Sequence, residues 1–215
     1  MPKDYAISFF DISWLAVECA DADPIIDALA LSDTRPTTWA QGLDAVCGDY
    51  WDFDAEPGSE LSRVFITPQI GSWRLAVGGW LGTAAESGVK AIHSVADYCK
   101  TLSAQHHQAH AYTTQGRMDW YSWILARDGN IDRAFAWSDN VIVDDGSPSN
   151  AESASRGKVK RWRPSESIVM AIAAESSISP RDFGPHTPCT GGGALATTDW
   201  GRKHGIPSRP LIDAK

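Results

Sequence analysis

The residues whose types could carry chemistry fall into a few short clusters. His106, His107 and His110 follow one another at the end of an apolar stripe. Histidines four apart on a helix share a face and can offer two nitrogens to one ion, but a structural site needs four ligands and a catalytic one usually three. No acidic or cysteine ligand stands at a diagnostic spacing, so the three read as a polar helix end. Gly191, Gly192 and Gly193 suggest a phosphate cradle. Such a loop follows a buried strand and in its commonest form precedes Lys-Ser or Lys-Thr; neither is present, and a flexible turn is expected. Serines are plentiful, yet no Gly-x-Ser-x-Gly elbow occurs, and DGSPSNAESAS is too polar to hold a nucleophile on a buried turn. The pairs Asp52 with Asp54 and Asp144 with Asp145 have nothing beside them to push their pKa values apart, and read as solvated loop charges. Cysteines at 19, 47, 99 and 189 are too widely spaced for a redox or zinc pair and read as free, mostly buried thiols. The expectation is no catalytic residue, no metal and no cofactor.

Charge is more informative. Residues 1 to 62 hold thirteen Asp or Glu against Lys3 and Arg35, an excess of −11 that leaves +3 for the rest of a chain of formal charge −8. A local excess of this kind favours encounter with a basic partner, although ordinary solubility charge explains it nearly as well. Within it, Asp49, Tyr50, Trp51, Asp52, Phe53, Asp54 and Glu56 interleave acids with large aromatics. Tyrosine and tryptophan are typical anchors of binding surfaces, and acidic rims steer cations, so these seven residues are the candidate partner-binding site. The competing account is that Trp51 and Phe53 plug the core beneath a loop. The run Arg156, Lys158, Lys160, Arg161 and Arg163 around Trp162 could contact phosphates, but net charge opposes a polyanion, and no nucleic-acid partner is expected. Ten tryptophans could form sugar platforms; six of them, at 14, 73, 80, 120, 123 and 137, fall in expected strands, where core packing is the simpler account.

Elements must position these groups. Residues 5 to 19 read as a strand or bent strand pair, and Asp23-Pro24 opens a short helix. Thr37 or Thr38 caps a second helix bearing Trp39, Leu43 and Val46 on one face, and residues 48 to 58 form an exposed loop. A hairpin runs from Val64 to Leu81 through a turn at Gly71. Val89, Ile92, Val95, Ala96, Cys99 and Leu102 trace one stripe and predict the principal helix over 87 to 106. Strands follow from Gln108, joined by an Asp128-Gly129 turn suited to positive φ, with a short strand at Val141 to Val143. DDGSPSNAESASRGK reads as a mobile loop and Ser165 as the cap of a last helix. The fold class is therefore α+β: a mainly antiparallel sheet, one long helix packed on it and additional short helices. Residues 1 to 183 form one domain, and the Gly/Pro-rich segment 184 to 215 wraps its surface, anchored by Trp200 or Leu211.

ITPQIGSWRLAVGGWL, then a helix, DWYSWILARDGNIDRAFAW and the helix ESIVMAIAAESSISP together resemble the immunity partners of polymorphic secreted bacterial toxins of type VI or Rhs type, over roughly residues 64 to 180. The resemblance implies a cytoplasmic α+β inhibitor that binds one cognate toxin, with no catalytic residues of its own; the acidic and aromatic surface that includes residues 49 to 56 is then expected to occlude the active site of a basic toxin. The absence of a signal-like start or of an apolar run of membrane-spanning length agrees with that placement, and oligomeric state stays open. Two other readings remain: an enzyme assembled from dispersed residues such as His106, His107, His110, Asp119 and Cys189, and a tryptophan-based carbohydrate or peptide-binding module.

Overall fold

Alternation along the strands sorts large and small side chains onto opposite faces of one sheet. The computed structural model describes residues 11–51, 58–83, 89–157, 161–184 and 186–206. Nine strands appear among them: β1 (Ser13–Val17), β2 (Ser32–Thr37), β3 (Arg63–Ile66), β4 (Arg74–Gly78), β5 (Gln108–Gln115), β6 (Trp120–Arg127), β7 (Asn130–Ser138), β8 (Asn140–Gly146) and β9 (Gly193–Thr197). They form a single antiparallel sheet in the order β2-β9-β3-β4-β1-β5-β6-β7-β8.

One face carries Trp14, Phe65, Tyr112, Trp123, Phe135 and Trp137. Trp123 and Phe135, opposite each other on β6 and β7, stack at 4.3 Å, a pairing that adds about 1 kcal/mol to their burial. This aromatic face is covered by α2 (Trp39–Trp51) and α5 (Glu166–Ser176). The other face is lined by Ala76, Ala109, Ala111, Ala126, Ala134 and Ala136. Small side chains let the 18-residue helix α3 (Val89–His106) lie against it through Ile92, Val95, Cys99 and Leu102, beside the short α1 (Asp23–Ala28). Both faces are thus covered, and the predicted α+β class with one long helix on an antiparallel sheet holds.

Local signals explain most boundaries. Thr38 Oγ1 accepts the Gln41 N–H at 3.2 Å while Gln41 Oε1 accepts the Thr38 N–H at 3.3 Å, a reciprocal cap that starts α2. Asp128 and Gly129 both have positive φ, at 48° and 79°, and the Gly129 N–H is held by Ser103 of α3, so the predicted hairpin turn is also docked.

Three expectations are corrected. The loop over 48 to 58 is helical as far as Trp51, because Val46 and Asp49 both face inward; residues 52 to 57 lie outside the described residues. The stretch DDGSPSNAESASRGK contains the end of β8 and a helix, α4 (Asn150–Arg156), whose first N–H groups are held by Ser149 Oγ and the Glu175 carboxylate. Residues 193–197 do not wrap the surface: β9 is an inner strand between β2 and β3, followed by α6 (Asp199–His204), with Trp200 half-buried near Gly58. Leu211 lies outside the described residues.

Candidate functional site

Four elements converge where α2 ends. Tyr50 stands on its last turn, Asp11 precedes β1, Glu60 lies on a single 3-10 turn before β3, and the turn Gly116–Met118 with Asp119 joins β5 to β6. The Gly116 N–H donates to Asp11 Oδ1 at 2.6 Å, and Arg117 approaches Asp11 Oδ2 at 3.6 Å. Asp119, at φ 47°, accepts the Trp137 indole N–H at 3.0 Å. Asp11 thereby fixes the turn that presents Met118, which is 59% exposed.

The two tyrosines report a common negative field. Burial raises the Tyr50 pKa first, then Asp11 and Glu60 raise it further while Arg117 opposes them. Burial likewise raises Tyr121, followed by Asp119, Asp11 and Glu166 at the start of α5. Carboxylates from four places in the chain therefore lie near Tyr50 and Tyr121 at one end of the sheet, where Met118 is exposed.

The seven residues predicted for partner binding are divided by the fold. Asp49 is buried: its carboxylate forms a bidentate pair with Arg63, Nε lying 2.7 Å from Oδ2, and accepts the Ser62 hydroxyl at 3.3 Å. It holds α2 to β3, and is corrected from a surface acid to a buried structural one. Tyr50 is half-buried at the site. Trp51 closes α2, and Asp52, Phe53, Asp54 and Glu56 fall outside the described residues. Glu60, Met118, Asp119 and Glu166 lie at this end above the buried Asp11 and Tyr121, none of them read from sequence as binding residues; nothing in linear spacing ties a turn at 116–119 to a helix end at 50.

At the opposite end of the aromatic face lies an open cleft of about 460 Å³, lined by His110, Arg127, Asp132, Arg133 and Glu175 among others. Its ionisable groups are largely occupied by the fold. Burial lowers the His110 pKa to about 4, with Arg127 adding to the effect, so the ring is neutral at pH 7. Its Nδ1 accepts the Ala126 N–H at 3.2 Å, which leaves the proton on Nε2, 3.3 Å from Gln108 Oε1. Arg133 uses all five N–H groups on Glu152, Asp144 and the carbonyls of Asp145 and Gly146. Arg156 joins the same carboxylates and stacks on Trp162 at 4.5 Å, so this part of the basic run turns inward. Glu175 holds the first N–H groups of α4.

No protein-family model, curated protein or solved structure matches the chain. The histidines proposed for a metal or a dispersed active site are separated: His106 ends α3, His107 at φ 65° pairs with Asp128 at 2.6 Å, and His110 lies within β5. Asp119 stands at the other end of the strands, and Cys189 is exposed. Among the described residues, no group of three His, Cys, Asp or Glu could hold a metal ion. The cysteines are free, and burial pushes Cys19 and Cys47 up to about 11, far from a reactive thiolate. Trp14, Trp39, Trp120, Trp123 and Trp137 are buried, and Trp73, Trp80, Trp162 and Trp200 are half-buried.

Proposed function

We propose that the protein is an immunity-type inhibitor, as the sequence resemblance implies, that binds a basic secreted toxin and blocks its active site. The observation that carries this reading is the convergence of Asp11, Glu60, Asp119 and Glu166 around Tyr50, Tyr121 and the exposed Met118. The exposed Met118 and half-buried Tyr50 beside these carboxylates suit a cationic partner surface: the acids steer the encounter and the apolar contacts slow release. Chemistry then belongs to the partner, in keeping with a chain whose His110, Arg133 and Arg63 are held within the fold. Among the described residues no helix is long and apolar enough to cross a membrane.

The test is to mix the purified chain with the product of the neighbouring gene. A complex at low salt, weakened at least ~10-fold by Tyr50→Ala with Met118→Ala, is the expected result. Absence of a complex at low salt, with no protection of cells expressing the neighbour, would sink the proposal.

A further inference from the structure

Arg74 opens β4 on the alanine face and is buried, with 7% of its surface exposed. Its Nε donates to the Ala20 carbonyl at 2.7 Å, and its Nη1 donates to the carbonyls of Thr67 at 2.7 Å and Gly192 at 3.3 Å. These partners are dipoles, not charges. The other buried arginines are different: Arg63 holds Asp49, and Arg133 holds Glu152 and Asp144. Arg74 has no ion pair among the described residues, and its Nη2 finds no acceptor there. A guanidinium keeps its proton at any ordinary pH, so this is a buried cation with one edge unfilled.

That edge meets the glycine turn before β9. Nη2 lies 3.5 Å from where a Cβ on Gly191 would stand, and Gly191 has φ +75°, so glycine is suited to the position on both counts. Gly191 and Gly192 are exposed, and neither N–H takes a backbone acceptor among the described residues. The turn is pinned by paired bonds between Gln69 and Thr190, at 3.0 and 2.9 Å. A fixed cationic edge beside unused backbone N–H groups is an arrangement that recognises oxyanions. Asp21 acts on the nearby Cys19 thiol together with Arg74, yet it does not pair with the guanidinium. We propose that Arg74 and the Gly191-Gly192 turn form a binding site for the phosphate or carboxylate group of a small molecule. The glycine run alone lacked a cation; the fold supplies one from more than a hundred residues away. The inference does not depend on the inhibitor reading.

Calorimetric titration of the full chain with inorganic phosphate and with acetate, against chloride at matched ionic strength, tests it. Saturable binding is expected from one of the two, and the tighter of them names the source. Two variants localise it: Arg74→Gln removes the cation, and Gly192→Asp sets a carboxylate into open space at the same turn. Each should weaken binding at least ~10-fold, the scale of one charged hydrogen bond. Thermal unfolding in phosphate serves as a check, since general salt exclusion raises stability equally in wild type and variants. Should Arg74→Gln not fold, Gly192→Asp decides alone. The site is overturned when neither anion gives saturable heat, or when Gly192→Asp binds as tightly as wild type.

Discussion

The imidazole of His110 accepts the Ala126 N–H where β6 slips register against β7 between Leu125 and Ala126. The ring is buried beside this irregularity, and burial is what holds it neutral. Protonation would remove that acceptor and place a charge in the core. The folded pKa of about 4 lies below the unfolded value of 6.5, so the unfolded chain binds more protons between these values. The stability contribution is complete above pH 6.5, falls as pH is lowered through the window and levels off below 4, a loss of about 3 kcal/mol from this group. Urea unfolding of wild type and His110→Gln across that range checks it: the difference between their stabilities should shrink towards acid pH, and parallel pH profiles would rule it out. Asp49 teaches the same lesson from the other side. As one acid in a run of acids and aromatics it looks like a surface residue, and only Arg63, fourteen residues on, turns it inward.

At the scale of elements, legibility followed periodicity. Helix α3 is written as an apolar stripe over four turns, and the β6–β7 hairpin as alternation broken by Asp-Gly, so both were readable. Strand β2 was not, since SDTRPT is a polar edge whose β character comes from pairing with β9 and whose Pro36 argues against a strand. Strand β9, GALAT, carries too little β-branched character to announce an inner position; it is chosen because a small residue at Gly193 fits beneath Phe65. Helix α2 depends on the same economy of size. A Cβ on Gly42 would stand 2.1 to 2.5 Å from the Phe65 ring, although alanine is the better helix former by about 1 kcal/mol. Gly42→Ala is therefore expected to destabilise the protein by about 2 kcal/mol despite the propensity gain. Denaturant midpoints would show it, and the double variant with Phe65→Leu should recover part of the loss. A stabilised Gly42→Ala protein would mean that the Phe65 ring gives way to a Cβ without cost.

At the scale of the whole molecule, sequence located the acidic excess in residues 1 to 62, but folding decides what it can do. Asp49 is withdrawn into the core, whereas Asp11 and Glu60 are brought to one end of the sheet and joined there by Asp119 and Glu166 from the nominally basic remainder. A linear count could not make that selection, because it depends on which strands are neighbours. Should this end receive a basic partner, two kinetic terms separate. Long-range attraction acts before contact and is screened over roughly 10 Å at ~0.1 M salt, so the association rate should fall steeply with added salt. The apolar side chains act after contact, so Met118→Ala and Tyr50→Ala should mainly speed dissociation. Charge reversal at Glu60 and Asp119 should do the opposite, slowing association and changing dissociation little. Stopped-flow mixing over a salt series distinguishes the two effects. An association rate indifferent to salt and to reversal of both acids would place the partner's contact elsewhere on the molecule, since acids that steer must be felt before the surfaces touch.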